Sequence, residues 1–356
     1  MKTRELYLDF IRGIAILLAM GWHFNNTDTG IRLLDYLLIP GRVLGWAGVD
    51  LFFVLSGFLI GGLIFNEYKK TGGFRVGRFL IRRAFKIWPI LYVYLMLLII
   101  SGRYPWESFL LQNLFHVQNY FLTPLAHLWS LAVEEHFYLL FSFCLLILTR
   151  SKAKSMRVFL VIIPLVMLTC LLLRFAAYSY PVDLDKIYIQ TQYRIDALAF
   201  GVGLAYIKTF DQDKFETLAK NKIILAAILF LGITILALFQ EDIYFKVTIR
   251  YTITYVTAGV MLLYFYRLKF VSERNFVVKG IAWIGVYSYA MYVYQFVVMR
   301  VVEALLKKLQ ITDLPVVTDL VIKYGGAIML AVVLTKLIER PFLSLRERMF
   351  PSYAGS

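Results

Sequence analysis

The sequence predicts an all-α fold: a polytopic membrane helix bundle of about ten transmembrane helices, with the N- and C-termini in the cytoplasm. Composition is the first reason. Hydrophobic residues make up 60% of the 356-residue chain and charged residues 17%, whereas soluble domains average about 45–50% and about 25%. The second reason is that apolar residues are gathered into runs of about 20, the length needed to cross a bilayer. This composition excludes a disordered chain, a nucleic-acid-binding module and most soluble enzymes.

Ten segments are long and apolar enough to be predicted as spans. In chain order they are 6–25, 44–65, 79–100, 128–149, 157–177, 191–208, 222–240, 248–267, 279–299 and 320–340. The first segment resembles a signal peptide, because Lys2 and Arg4 precede an apolar run. It is predicted to be a retained span, since Asp9 and Arg12 interrupt it and no small-residue cleavage site follows.

The orientation of these spans follows from the loops. With the N-terminus inside, the cytoplasmic side carries about 21 lysines and arginines and the opposite side about 8, a bias that orients helical membrane proteins. Most of the net charge of +15 is thereby explained by topology.

The first span carries three ionisable residues, Asp9, Arg12 and His23. Arg12 and His23 are 11 residues apart in the sequence. That spacing is close to three turns, so both lie on one helix face about 16 Å apart along the axis. Ionisable residues inside a membrane commonly line a pathway or a site. The alternative is that Asp9 and Arg12 form a local i,i+3 pair and that His23 only satisfies a carbonyl.

A cationic stripe opens the third span at its cytoplasmic end. Arg75, Arg78, Arg82 and Lys86 follow helical spacing, and Arg83 lies to the side of the stripe. Such a stripe can bind anionic lipid headgroups. It can equally clamp a phosphorylated substrate, because the guanidinium fork matches phosphate oxygens. The pattern leaves both interpretations open.

The fourth span begins with a polar face formed by His127, Ser130 and Glu134, while Glu135 points about 80° away. Glu134 lies roughly 9 Å along the helix, at a depth comparable to that of His23. A carboxylate that holds one imidazole nitrogen makes the other nitrogen a better base. The alternative is a structural carboxylate bonded to a Trp or Tyr. His116 and His136 are interpreted as structural.

Two further features concern structure. Arg194 and Asp196 are two residues apart, so they cannot face each other and each needs a partner on another helix. The last span ends with Glu339-Arg340-Pro341, where proline is predicted to stop the helix.

Seven stretches, in order along nearly the whole chain, closely resemble acyltransferase family 3, the multi-pass membrane acyltransferases that include O-antigen and Nod-factor acetylases. Each short match is weak alone, but the ordered combination is highly specific. The stretches are Leu-Asp-Phe-Ile-Arg-Gly-Ile-Ala at 8–15 with His23, Gly-Val-Asp-Leu-Phe-Phe-Val-Leu-Ser-Gly-Phe at 48–58, Arg-Arg-Ala-Phe-Lys-Ile-Trp-Pro at 82–89, Trp-Ser-Leu-Ala-Val-Glu-Glu-His-Phe-Tyr at 129–138, Tyr-Arg-Ile-Asp at 193–196 with Gly201, Ile-Gly at 284–285 with Ser-Tyr at 288–289, and Ile-Glu-Arg-Pro-Phe at 338–342.

Two positions depart from the family pattern. Lys86 stands where arginine is more usual, which keeps the charge but loses the planar fork. Gln295 stands where many members have a histidine. The resemblance divides the chain into a transmembrane acyltransferase domain over 1–345 and a short cytoplasmic tail over 346–356. It also predicts that the chain lacks the C-terminal esterase-like domain of some relatives and acts alone or with a separate partner.

The resemblance implies transfer of an acyl group, usually acetyl, from cytosolic acyl-CoA to a carbohydrate hydroxyl at or beyond the outer face of the bacterial cytoplasmic (inner) membrane. Its expected partners are acyl-CoA, a carbohydrate acceptor and membrane lipids, without a metal or nucleic acid. Our hypothesis places CoA phosphates on Arg82, Arg83 and Lys86, with Arg12. The expected catalytic residues are His23, Glu134 and Glu135, with His23 acting as base or as acyl carrier.

Two other classes of function stay open. A transporter or flippase would also line a path with intramembrane charges, although the internal repeats common in transporters are not visible in this sequence. A membrane scaffold or sensor would tolerate neutralisation of Arg12 or Glu134.

Overall fold

The computed structural model describes residues 5–24, 27–121, 123–150, 156–180, 183–268, 271, 274–311 and 314–351. Across these residues the regular structure is helical, and they contain no β-strand. The helices are α1 (Leu6–Phe24), α2 (Arg32–Leu44), α3 (Ala47–Thr71), α4 (Val76–Ser101), α5 (Leu110–Leu114), α6 (Trp129–Arg150), α7 (Phe159–Ser179), α8 (Leu184–Ile189), α9 (Asp196–Phe210), α10 (Gln212–Lys220), α11 (Lys222–Leu238), α12 (Ile243–Val247), α13 (Arg250–Phe265), α14 (Phe276–Val286), α15 (Ser288–Lys308), α16 (Val316–Leu334) and α17 (Arg340–Met349).

The chain is a polytopic helical membrane protein. In the described part of the chain, 7 helical stretches are long and apolar enough to cross a membrane, or 8 if α10 and α11, bent by 72°, form one broken span. Every predicted span contains at least one helix, but α9 has 15 residues and α13 has 16. Both are shorter than the roughly 20 residues of a full span, so the predicted count of about ten is not confirmed.

Cationic residues used in the topology argument include five that fall outside the described residues: Lys2, Arg4, Lys152, Lys154 and Lys269. Residues 352–356 of the predicted tail also lie outside the described residues. The orientation of the bundle therefore stays a prediction.

The backbone divides into two compact units. The first consists of Met1–Val49, Trp88–Tyr94 and Arg267–Ser344. In this unit α1 packs against α2, α14 and α15, and α15 packs against α16. The contact between α1 and α14 is backbone to backbone, because a Cβ built on Gly13 would lie 2.0 Å from the Ile281 carbonyl oxygen and one on Gly285 would lie 1.9 Å from that of Asp9. Small residues allow such close approach between membrane helices.

The second unit consists of Asp50–Ile87, Leu95–Tyr266 and Leu345–Ser356. Here α9 packs against α7, α10 and α13, and α11 packs against α13. The contact of α3 with α9 is again close. A Cβ on Gly57 would lie 2.0 Å from the Leu198 carbonyl oxygen, and one on Gly201 would lie 2.2 Å from that of Val54.

Three local features differ from the sequence predictions. The single span predicted over 279–299 is two helices, α14 and α15, separated at Tyr287. Residues 32–44 form α2, which the pattern did not predict because charges and Pro40 interrupt its short apolar run. The prediction that Pro341 stops the last helix is wrong. A five-residue π-helical turn, Thr335–Glu339, precedes Arg340, and α17 continues beyond the proline. A π turn is one way a helix accommodates a local break in its hydrogen bonding.

Candidate active site

The residues predicted to form the site are distributed over both units. Arg12 and His23 belong to the first unit. The second unit holds the others: Arg82, Arg83, Lys86, Glu134 and Glu135.

In the first unit, the polar residues of α1 have local partners. Arg12 Nη1 donates to Asp9 Oδ1 at 2.5 Å, and the arginine side chain is 25% exposed. The i,i+3 pair considered as an alternative in the sequence analysis is therefore formed. His23 lies in the last turn of α1 and is half-buried. Its ring meets that of Phe296 on α15 edge to face, with centroids 4.8 Å apart.

In the second unit, three side chains from three helices converge on the phenol of Tyr138. The Tyr138 hydroxyl donates to Glu134 Oε2 at 2.7 Å, and it lies 2.6 Å from Ser56 Oγ of α3. Arg83 of α4 donates to the same hydroxyl through Nη2. Its guanidinium also lies 3.8 Å from Glu134 Oε2 and 4.4 Å from the centre of the Tyr138 ring. This Ser56–Tyr138–Glu134–Arg83 group is the best-connected polar group among the predicted residues and their neighbours.

Local helix geometry explains much of this group. Glu134 and Tyr138 are four residues apart on α6, so their side chains share one face. The alternative interpretation of Glu134, a carboxylate bonded to a tyrosine, is realised in this contact. Arg83, predicted to lie beside the cationic stripe, points to α6 instead of following the stripe. Ser56 was quoted only within a motif, and its 82-residue separation from Tyr138 explains why the sequence did not reveal their contact.

Glu135 is separated from this group by its position on the helix. It is buried, and its Oε1 has no hydrogen-bond partner among the described residues. The two glutamates thus occupy different environments, as their predicted angular separation requires. In the described part of the chain, no cluster of three His, Cys, Asp or Glu side chains is arranged to hold a metal ion.

The cationic stripe of α4 is partly engaged in ion pairs. Arg82 donates hydrogen bonds from Nη1 and Nη2 to the two carboxylate oxygens of Glu347, at 3.1 and 2.7 Å. It also donates to the Phe350 carbonyl oxygen. Arg78 lies 3.7 Å from Glu67. Lys86 is half-buried. The Arg82 contact is a two-point carboxylate interaction of the kind that guanidinium also makes with phosphate.

Two fully buried ion pairs lie elsewhere in the second unit. Arg194 Nη2 lies 2.7 Å from Asp50 Oδ1, and Arg174 Nη1 lies 2.7 Å from Asp196 Oδ2. Arg194 and Asp196 therefore do have partners on other helices, which confirms the prediction from their spacing. Arg194 also stacks 4.0 Å from the centre of the Tyr251 ring. Arg174 was not predicted as a partner, because it is a single charge within the very apolar α7.

A smaller polar cluster in the second unit joins α6 to residues of two connecting segments. His136 Nδ1 is 2.7 Å from Thr191 Oγ1, to which Asn119 Nδ2 donates at 2.8 Å. His116, in the connection between α5 and α6, has a left-handed backbone with φ of 55°. Burial, together with the nearby His136, lowers the pKa of His116 to about 4. The structural interpretation of both histidines stays a prediction.

Comparison with known proteins matches residues 5–337 to a family model described as an acyltransferase domain. The peptidoglycan O-acetyltransferase OatA of Listeria monocytogenes is 24% identical over 373 residues, which cover 97% of this chain and 56% of OatA. YrhL of Bacillus subtilis, provisionally named a peptidoglycan O-acetyltransferase, is 25% identical over 378 residues, covering 96% of this chain and 56% of YrhL. A Staphylococcus aureus protein provisionally named an O-acetyltransferase is 31% identical over 220 residues, 56% of this chain and 34% of that protein.

The chain thus spans a little over half the length of OatA and YrhL. No solved structure matches it.

Proposed function

The chain belongs to the acyltransferase family whose model covers residues 5–337, as its motifs indicated, and from this premise we propose that it transfers an acyl group to a hydroxyl of a cell-surface glycan. The family match is the observation that carries the proposal. The names of OatA and YrhL support acetyl as the group and a cell-wall glycan as the acceptor. An enzyme of this kind works in the bacterial cytoplasmic membrane, where it meets a cytosolic donor and an outer acceptor.

The proposed donor is acyl-CoA, with acetyl-CoA first among the possibilities. Its phosphates would be held by Arg82, Arg83 and Lys86, together with Arg12. The bidentate interaction of Arg82 with the Glu347 carboxylate supports this assignment, because phosphate presents its oxygens to a guanidinium in the same way. Binding the donor there requires Glu347 to leave Arg82.

We propose His23 as the residue that activates the chemistry, either by removing the proton of the acceptor hydroxyl or by carrying the acyl group. Glu134 is its proposed acidic partner. Within the second unit, Glu134 makes its contacts with Tyr138 and Arg83 through Oε2. Glu135 is a second buried carboxylate on the same helix and is proposed to contribute to the same site.

The test uses membranes containing the protein at matched levels, supplied with labelled acetyl-CoA and then separated into glycan fractions. We expect the native chain to label one glycan fraction and His23→Ala to lose that labelling. His127→Gln is the matched control, because His127 is a half-buried histidine outside the proposed machinery. Normal labelling by His23→Ala would remove His23 from the mechanism. Absence of labelling by the native chain would instead count against the proposed donor and acceptor.

A further inference from the structure

A hydrogen-bonded chain runs from Ser56 through Tyr138 to Glu134 within the second unit. The Ser56 and Tyr138 oxygens are 2.6 Å apart, and the Tyr138 and Glu134 oxygens are 2.7 Å apart. The three groups are a hydroxyl, a phenol and a carboxylate, in that order. This is the order that a proton would follow from an attacking hydroxyl to a base.

The donors and acceptors around Tyr138 fix the direction of this chain. A phenol has one proton to donate and can accept from other donors. Its proton is directed to the Glu134 carboxylate, and the Arg83 guanidinium donates to its oxygen. The contact with Ser56 must therefore be one in which the serine donates. The Ser56 proton then points into the chain, and the remaining lone pairs of its oxygen point away from it.

Ser56 lies beside a close contact between α3 and α9. The next residue, Gly57, packs directly on the Leu198 backbone, and Gly201 packs on that of Val54. These contacts leave α3 little freedom to move relative to α9 at this level. A nucleophile held in one geometry reacts faster than a mobile one, because less entropy is lost in the transition state.

Exposure and charge distinguish the two ends of the chain. Tyr138 is fully buried, whereas Ser56 is only partly buried, so the serine is the more accessible of these two residues. Arg83 lies beside both Tyr138 and Glu134. Its positive charge stabilises the negative charge that passes along these oxygens during proton transfer.

We propose that Ser56 is the covalent acyl carrier of the enzyme, activated by Tyr138 and Glu134. In the first step, Ser56 Oγ attacks the thioester carbonyl carbon, its proton passes to Tyr138, and the Tyr138 proton passes to Glu134. The carbon–sulfur bond breaks, and the thiolate takes up the proton to leave as free CoA. In the second step, the acceptor hydroxyl loses its proton and attacks the carbonyl carbon of the serine ester, the bond between that carbon and Ser56 Oγ breaks, and the proton taken from the acceptor returns to Ser56 Oγ.

This proposal rests on the proposed function, since it specifies how the acyl group leaves the donor. It assigns acyl carriage to Ser56, and His23 then acts as the base for the acceptor hydroxyl. The alternative is that Ser56 is only a structural hydroxyl that completes the contacts of Tyr138.

An acyl-enzyme predicts exchange of labelled CoA into acetyl-CoA in the absence of any acceptor. The experiment measures this exchange with the full chain in lipid nanodiscs, and it locates any acetyl ester by mass spectrometry of quenched protein. We expect exchange by the native chain, an acetyl group on Ser56, and no exchange by Ser56→Ala. Tyr138→Phe is expected to slow exchange by about 10²–10⁴-fold, the usual contribution of a positioned acid–base group.

Two variants separate chemistry from structure. Ser142→Ala removes a buried serine of α6 that does not belong to the hydrogen-bonded chain of Ser56, Tyr138 and Glu134. This variant should exchange labelled CoA at the native rate. Ser56→Cys should carry the acetyl group as a thioester that neutral hydroxylamine removes, which a structural hydroxyl would not do.

Exchange by Ser56→Ala at the native rate would overturn the proposal. So would intact acetyl transfer to glycan by the native chain with no exchange, and that result would leave the proposed function standing. If the native chain shows neither transfer nor exchange, the proposed function itself fails.

Discussion

At the scale of single residues, the buried charges of the second unit each require a partner of opposite charge. Arg174 and Arg194 are both 0% exposed. Removing one partner from a buried ion pair is strongly destabilising, by about 3–5 kcal/mol, because the other charge is left uncompensated. The close contacts of Arg174 with Asp196 and of Arg194 with Asp50 are therefore requirements of this interior.

His116 supplies a prediction about acid stability. Its pKa is lowered to about 4 by burial and by His136, whereas an unfolded histidine titrates near 6.5. Between these values the unfolded chain binds one more proton than the folded chain, so stability falls as the pH falls from about 6.5 to about 4. The total loss is about 3 kcal/mol. Thermal unfolding in detergent at pH 7 and at about pH 4 measures it.

The matched variant is His116→Asn, because asparagine tolerates the left-handed φ of 55° and does not titrate. It should lose less stability than the native chain over the same pH range. The same acid dependence in both proteins would show that His116 is not the responsible group.

Spacing within a helix predicts some residue contacts and leaves others unseen. Arg194 and Asp196 were expected to find separate partners, because two residues along a helix point apart. Their identities were not predictable, since Asp50 is 144 positions from Arg194 and no local pattern links them. The contact between Tyr138 and Glu134 could have been predicted, because residues four apart share one face of a helix. Ser56 and Arg83 join that pair only through tertiary packing.

At the scale of elements, α3 contains two glycines at which substitution by alanine should affect stability differently. A Cβ on Gly57 would lie 2.0 Å from the Leu198 carbonyl oxygen, whereas one on Gly62 meets no atom within 4 Å. We expect Gly57→Ala to destabilise the protein by about 1–3 kcal/mol, as overpacking does. Gly62→Ala should be neutral or slightly stabilising, within about 1 kcal/mol. Unfolding in detergent measures both.

The pair also tests the placement of Ser56. If α3 and α9 hold Ser56 in position, Gly57→Ala should reduce acyl transfer, and Gly62→Ala should not. Equal stability and equal activity of the two variants would contradict the close contact between these helices.

Hydropathy located the elements better than it defined their ends. Each predicted span contains a helix, because a run of about 20 apolar residues has few other structures available in a membrane. The break at Tyr287 and the continuation past Pro341 were not predicted. Both depend on hydrogen bonding of a few backbone groups, which does not change the average hydropathy of a segment.

At the scale of the whole molecule, the number of crossings decides where the termini lie. About ten spans place both termini on one side, as the distribution of lysine and arginine predicts, whereas 7 spans would place them on opposite sides. Reporter fusions at the two ends should both give cytoplasmic signals. Cysteines introduced for Thr71 and Ser108, in a chain with Cys144 and Cys170 changed to alanine, should react with an impermeant thiol reagent from opposite sides.

Reporter signals on opposite faces would instead favour an odd number of crossings.

The membrane class and the family could be predicted from the sequence, because composition indicates the first and the ordered motifs indicate the second. It did not predict the division into two compact units, since α3 and α4 each contribute residues to both.

The buried ion pairs also constrain how the chain is made. Asp50 leaves the ribosome 144 residues before Arg194, which at about 5–20 residues per second is an interval of roughly 7–30 seconds. During this interval the Asp50 carboxylate, in the first turn of α3, lacks the arginine that neutralises it in the finished unit, and a charge in a membrane segment is costly without a partner. Completion of the second unit is in this sense tied to the order of translation.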